Sequence, residues 1–350
     1  LLSDFFIEGW KVDPEFEAEI EFKDAKQFLS AERIDLICKL IYIESRETGE
    51  GCEFARELYK AHIHAFSEGT FTEPGTEEKN TFEKYLKSFD ELIDDIKKNG
   101  IDPEKSVVPV GDNGSILDGS HRTAIAIYYK LKLPVFHVPG ISKNYNYEFF
   151  SERGLDSEYL DYMVCEYIKR TPSPYVLCLW PRACGAEKIK TAEKMIRNTA
   201  NLVYRKKCRI GKNGLNQLMI HIYKNQPWAG TISDGYKGIP LKSEACYRGG
   251  AATNIYVLSD ASLEEIVKLK SIFQIENHSV HITDTKEEAI EAARVLLNSR
   301  SLDLINYGNI TACAKTAGAI DRLSEKGGET ALDIEITKIL YGISDVTDKE

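Results

Sequence analysis

Residues 106–138 read SVVPVGDNGSILDGSHRTAIAIYYKLKLPVFHV, and the fold of the first half of the chain turns on this stretch. A short apolar run at 107–110 predicts a strand. Gly111-Asp112-Asn113-Gly114 predicts a tight turn, because Asn-Gly readily supplies the positive backbone angles such connections need. A second strand is expected at 115–117, a loop at Asp118-Gly119-Ser120, a helix opening at His121, and a closing strand at 134–138. At a strand-to-helix corner of this kind, glycine lets the backbone approach a ligand, and the first helical amides, which have no partner within the helix, point outward. Such a corner suits an anion. His121 and Arg122 add two cationic or hydrogen-bonding side chains to a first turn where acids would be the ordinary choice.

The run Asp118-Gly119-Ser120-His121-Arg122, followed by Ala124, Ala126 and an apolar strand, resembles the nucleotide-phosphate motif of the ParB/sulfiredoxin superfamily, in particular the D-G-x-H-R signature of its free-serine kinase branch. The resemblance covers residues 30–140. It implies ATP or ADP and Mg2+ as cofactors, and transfer of a phosphoryl group to a small-molecule hydroxyl. Free serine is the acceptor it suggests; the appended second half points instead to a sugar or polyol used in surface polysaccharide biosynthesis. On this reading Gly119, Ser120, His121, Arg122 and Thr123 hold the phosphates, and Asp118 holds Mg2+ or substrate. Catalysis falls to Glu44, Asp118 and His121, with Glu44 as the base and Glu47 and Glu50 as its rivals. The sulfinic-acid reductase branch needs a cysteine just before the histidine. Ser120 stands there, and a serine cannot form the thiosulfinate that chemistry uses.

The chain has 350 residues, 43% hydrophobic and 29% charged, which is enough for two domains of a soluble globular protein. The fold class expected is α/β, mixed α+β: a ParB/sulfiredoxin-like nucleotide-binding domain at 1–150 and a second α/β domain at 151–350. No apolar run is long enough for a bilayer, and the N-terminal residues show no basic region followed by a leader core, so a cytoplasmic protein with no membrane partner is expected. The formal net charge is -10 without a basic run, which weighs against nucleic acid as a partner while leaving room for a local basic pocket. A ParB-like regulator or DNA-binding module is the non-enzymatic alternative. It needs a helix-turn-helix after the motif, and residues 141–175 show one aromatic-rich helix without a convincing second. The eight cysteines contain no C-x-x-C pair and read as reduced thiols. His62 and His64 lie two apart on a helix, so they diverge and cannot share a metal.

Along the first half, residues 33–43 (RIDLICKLIYI) are dense in Ile, Leu and Tyr and read as a buried strand that delivers Glu44 to a loop. A helix at 54–66 turns Phe54, Leu58, Ala61, Ala65 and Phe66 inward, and a polar loop follows at 67–80. From Thr81 a strongly periodic helix runs to Lys97-Lys98-Asn99, with Gly100 as its stop. Another helix is expected at 156–169, broken by Thr171-Pro172-Ser173-Pro174, close to the domain boundary.

The second half alternates: strands at 175–180, 202–210, 255–258 and 280–282, helices at 186–198, 213–223, 263–273 and 286–297. This pattern favours an α/β layer structure. Two loops there carry candidate chemistry. Residues 228–242 hold Lys237 and Lys242 on a glycine-rich segment, and residues 279–285 put His281 at a strand end with Asp284 or Thr285 at a helix cap. Lys237, Lys242, His281 and Asp284 form a candidate second site for a nucleotide or sugar phosphate. A bifunctional chain with a C-terminal nucleotidyl- or glycosyl-transferase is the corresponding alternative.

Overall fold

A computed structural model of the chain describes residues 9, 18–72, 79–183, 186–273 and 278–307. The chain divides into two units, Leu1–Thr171 and Pro172–Glu350, and its class is mixed α/β, as the alternation predicts. The division follows the Thr-Pro-Ser-Pro break, so residues 151–171 belong with the first unit and not with the second. Among the described residues no helix is long and apolar enough to cross a membrane.

In the first unit, β1 (Glu21–Asp24) precedes α1 (Asp35–Thr48), α2 (Cys52–Phe66) and α3 (Phe82–Asn99). Then come β2 (Val108–Val110), α4 (Ser120–Tyr128), β3 (Lys132–His137), α5 (Tyr147–Glu152) and α6 (Ser157–Arg170). The sheet order is β1-β3-β2, with β3 antiparallel to β1 and parallel to β2. Parallel neighbours cannot be joined by a hairpin, and α4 supplies the crossover. The expected strand at 115–117 is reduced to one antiparallel bridge, Val110 to Ile116, because the turn at 112–114 is followed almost at once by the glycine corner.

The largest departure is α1. Of residues 33–43, expected as a strand, those from Asp35 onward form its first turns, and every residue from Asp35 to Ile43 is buried. A continuously apolar run has no face to reveal its period, so a helix buried on all sides and a buried strand look alike. α1 is the centre of the unit, packed against α2, α4 and α6. Glu44 therefore sits within a helix that ends at Gly49 in the left-handed conformation, not on a loop. On α2 the buried face is Ala55, Leu58, Tyr59, His62, Ile63 and Ala65; Leu58 and Ala65 are inward as expected, but the face is turned so that Phe54 is 41% exposed and His62 lies inside. His64, two residues on, is exposed, as its spacing requires. α3 follows expectation: Thr81 caps it through a bond from the Lys84 amide, Phe82, Tyr85, Phe89, Ile93 and Ile96 are buried, and Gly100 closes it.

The second unit contains β4 (Tyr175–Leu179), α7 (Ala186–Thr199), β5 (Asn201–Cys208), α8 (Lys212–Tyr223) and α9 (Ile239–Cys246). β6 (Thr253–Ser259), α10 (Leu263–Phe273), β7 (Val280–Ile282), α11 (Lys286–Leu296) and α12 (Ser299–Tyr307) complete it. Strand order is β5-β6-β4-β7 with every neighbour antiparallel. Each helical crossover skips one strand, from β4 past β6 to β5 and from β6 past β4 to β7, which is the split β-α-β arrangement of ferredoxin-like sheets. The two central strands are buried along nearly their whole length, with apolar runs at 175–179 and 255–258. The edge strand β5 carries Arg205, Lys206 and Lys207, and side chains of that kind protect an edge from further pairing. α7 and α10 pack on each other and on the face formed by Leu177, Leu179, Tyr256, Leu258 and Ile282. Val176 and Cys178 point the other way and are also buried, with α11 packed on β4.

Candidate functional site

The corner that the sequence singles out lies past the carboxyl end of β2, where the chain turns into α4. Open α/β sheets characteristically take ligands at such strand ends. The loop before it is tied down on three sides: the Gly111 amide donates to the Ser115 carbonyl (2.9 Å), the Asp112 amide to the Ile141 carbonyl (2.8 Å) and the Leu117 amide to the Pro109 carbonyl (2.8 Å). From beneath, the Arg33 guanidinium donates to the Ile116 carbonyl. Gly119 then takes φ 79° and ψ 26° and caps the helix without any side-chain cap. A methyl group there would sit 2.9 Å from Val108 Cγ2 and 3.4 Å from the Arg122 guanidinium. Only glycine fits, on both grounds.

The intrahelical bonds begin at Thr123, whose amide donates to the Gly119 carbonyl at 2.9 Å. The amides of Ser120, His121 and Arg122 precede that bond and face the corner. Helix α4 carries no acid in its first turn. Among the described residues the side chains of Asp118, Ser120 and Arg122, all half-buried, make no hydrogen bond or ion pair. The Arg122 guanidinium thus lies over the glycine without an ion-pair partner among the described residues. Thr123, expected to hold phosphate, is fully buried, and its hydroxyl donates back to the Gly119 carbonyl (3.0 Å). It serves the helix and not the corner.

His121 differs from its expected role. Its Nε2 lies 2.8 Å from the Tyr59 hydroxyl, and its ring meets the Phe89 ring edge-on at 4.6 Å. Burial, reinforced by the charges of Lys39 and Lys79, pushes its pKa well below 6.5. The imidazole is neutral near pH 7. It acts as a hydrogen-bonding group, leaving Arg122 as the fixed positive charge of the helix's first turn.

Sequence reasoning missed what underlies the corner. Arg33, Asp35 and Lys39 are each at most 2% exposed. Asp35 accepts from Arg33 Nε at 2.7 Å, from Arg33 Nη2 at 2.8 Å and from Lys39 Nζ at 3.1 Å. Burial alone would raise the Asp35 carboxyl, but the two cations beside it hold it well below the ordinary carboxylate range. The Arg33 guanidinium also lies 4.9 Å from the centre of the Tyr145 ring. Nearby, His62 is 1% exposed, with neither ring nitrogen hydrogen-bonded. It lies among Tyr59, Phe66 and Phe150, and burial keeps it neutral by pushing its pKa well below 6.5. The signal for this cluster was three charges inside an apolar run, two of them four residues apart.

Glu44 is not at the corner. Its carboxylate is about half exposed and pairs with Arg170 of α6. It lies nine residues past Asp35 along α1, about 13 Å at 1.5 Å per residue, and its charge is felt by Tyr128 at the far end of α4. The rivals are no closer to the role: Glu47 is bound to Lys97 at 2.5 Å, and Glu50 is exposed. A helix-turn-helix reading fares no better. A second helix does precede α6, the six-residue α5, contrary to the single helix expected there, but half of α6 is buried, it packs on α1, and its first turn carries the acid Glu158.

In the second unit Lys242, His281 and Asp284 line one cleft of about 650 Å3. Lys237 does not join them; it is exposed and lies 3.8 Å from Asp234. The glycine-rich segment is less irregular than expected, with short 3-10 turns at Pro227–Ala229 and Ile232–Asp234 before α9 takes up Lys242. Thr285 caps α11 by accepting from the Glu288 amide at 3.1 Å. Among the described residues no group of three or more His, Cys, Asp or Glu side chains is arranged to hold a metal ion. Compared with known proteins, the chain matches no family model, no curated protein and no solved structure.

Proposed function

We propose that the first unit is a small-molecule kinase, binding the polyphosphate of ATP or ADP at the Gly119 corner and passing its terminal phosphoryl group to a hydroxyl. The observation that carries this reading is the Arg122 guanidinium, held over a glycine that admits no side chain and, among the described residues, without an ion pair, beside three helical amides without a partner there. That combination fits phosphoryl transfer, which needs positioning and neutralisation of spread negative charge more than covalent chemistry. The resemblance of Asp118-Gly119-Ser120-His121-Arg122 to the free-serine kinase motif supports it, and serine, a sugar or a polyol is the acceptor class.

Roles follow the geometry. The amides of residues 120–122 and the Arg122 guanidinium hold phosphate oxygens, while neutral His121, steadied by Tyr59, offers its ring as a hydrogen-bond partner. Asp118 is the carboxylate next to this row. With Glu44 at the other end of α4, Asp118 takes the acceptor's hydroxyl proton as the oxygen-phosphorus bond forms and the bond to the departing nucleotide breaks. A Mg2+ ion fits a single carboxylate here, because that ion is commonly held by one or two carboxylates together with substrate phosphates and water.

The test is calorimetry with ATP and ADP on the full chain and on Arg122→Ala, followed by phosphorus NMR of each nucleotide with serine, sugars and polyols. A phosphorylated acceptor formed by the wild-type chain and lost in the variant is expected. Nucleotide affinity unchanged in Arg122→Ala would refute the site, and heat of binding without transfer to any acceptor would refute the activity.

A further inference from the structure

The cleft in the second unit is built differently from the corner and does not depend on it. Its volume, about 650 Å3, lies within the range of small-molecule pockets. One wall is aromatic: Trp228 is 45% exposed, and its ring packs at 5.1 Å on that of Tyr223. Tyr223 is itself fixed from behind, with its hydroxyl 3.2 Å from His281 Nδ1. An indole this exposed, yet held rigid by a second ring, offers a flat apolar platform at low entropic cost.

Two cations from separate elements converge on the same space. Lys242 of α9 lies 5.8 Å from the Tyr223 ring centre, and Lys270 of α10 also lines the cleft, the charges of both reaching His281. Half-burial lowers the Lys242 pKa. His281 is pushed down to about 3 by burial and by both lysines, so the imidazole is neutral and the ammonium groups are the positive charge of the cleft. Gln226, Asp284 and Glu288 also line it. The two acids oppose a bare anion, and Glu288 is engaged by the Asp284 amide at 2.8 Å. They favour instead a ligand that brings hydroxyl groups along with its negative charge.

We infer that this cleft binds a hydroxylated ring carrying a phosphate, the ring lying on Trp228, the phosphate between Lys242 and Lys270, and ring hydroxyls donating to Asp284 and Gln226. Sugar phosphates and nucleoside monophosphates share this chemistry.

The experiment uses the full chain carrying Arg122→Ala, so that phosphate binding at the corner does not contribute. Glucose 1-phosphate, AMP and inorganic phosphate are titrated separately, by calorimetry and by tryptophan fluorescence. Expected is one site for glucose 1-phosphate or AMP, whichever binds tighter naming the ring, and much weaker binding of inorganic phosphate. Trp228→Ala should weaken the ring compound about tenfold or more, as loss of a stacking platform does, while Trp228→Phe stays near the parent. Lys242→Met should weaken it comparably and Lys270→Met in the same direction, with far-UV circular dichroism unchanged. Inorganic phosphate binding as tightly as both ring compounds, affinity unaltered in Trp228→Ala and Lys242→Met, or no binding of either ring compound at millimolar concentration would each overturn the assignment.

Discussion

Replacing Asp35 by Asn tests how the centre of the first unit is held together. Asp35 is the only anion in the Arg33, Asp35, Lys39 cluster, so the substitution takes the cluster's charge from +1 (two cations less one carboxylate) to +2, with every member at most 2% exposed. Three short contacts to one carboxylate weaken at once. Removing one partner of a buried ion pair costs about 3–5 kcal/mol, because the other charge stays buried without compensation. Domain stabilities run to about 5–15 kcal/mol, so the loss is a large part of the total. For a unit of 171 residues each kcal/mol is worth about 2–4 °C, and the melting temperature of the first unit should fall by about 6–20 °C. The second unit serves as an internal reference in the same calorimetric scan. The companion is the triple replacement Arg33→Met, Asp35→Leu and Lys39→Met, which removes all three charges and should be far milder, since buried ion clusters are often replaceable by apolar groups. It also removes the donor to the Ile116 carbonyl, which anchors the loop ahead of the corner. The triple variant should therefore be folded yet bind nucleotide more weakly. A fall of less than 2 °C in Asp35→Asn, or a triple variant no more stable than the single one, would show that the cluster does not sustain the unit.

Gly119→Ala places a methyl group 2.9 Å from Val108 Cγ2 at φ 79°. The backbone strain alone costs about 1–2 kcal/mol; pairing the change with Val108→Ala should relieve the clash but not the strain, giving partial recovery of stability and of nucleotide affinity. Glu44→Gln, which removes a carboxylate about half exposed and paired with Arg170, should cost at most about 1 kcal/mol of stability and leave phosphoryl transfer intact; a turnover loss of about a hundredfold or more would restore it as the base. Acid should weaken the first unit through His62. Its folded pKa lies well below its ordinary 6.5, so its contribution is present above that value and is lost as pH falls, because the unfolded chain binds the proton first. The slope approaches about 1.4 kcal/mol per pH unit below 6.5. Urea titrations between pH 7.5 and 5 should show it; His121, lowered in the same way, adds a slope of its own, so His62→Phe should reduce the dependence without abolishing it, and equal slopes in parent and variant would exclude His62 as a source.

Among the described residues of the second unit, the four expected strands and four expected helices were legible to within two residues, whereas α9 and α12 were not. Leu263–Phe273 and Val280–Ile282 have the bounds that the sequence suggests, because its strands are short apolar runs and its helices are amphipathic with polar faces. Its strand directions were not legible. Alternation of strand and helix suits a parallel sheet, and the chain instead skips a strand at each crossover, a choice made by packing between segments far apart in sequence. In the first unit the glycine corner was legible since Gly119 has a local steric reason to be there, whereas the roles around it depend on distance. Glu44 looks available only if the run before it is a strand that ends in a loop; the helix instead holds it within its last turns, where it pairs with Arg170.

That misreading and the missed cluster have one origin. On a strand, residues 33, 35 and 39 would all point to one face, together with Ile37, Ile41 and Ile43, mixing charges into the core side without an evident partner. On a helix, Asp35 and Lys39 are stacked one turn apart and can pair, and Arg33, just before the first turn, reaches the same carboxylate. Charge spacing, and not hydrophobic period, was the feature able to separate the two readings. A buried segment has no polar face to show its period, so the few charges it retains must find partners locally, and the geometry of those partners names the secondary structure. The same requirement places a buried net positive charge close enough to His121 to depress its pKa. The element that stabilises the core is thereby also the one that sets the electrostatic surroundings of the corner.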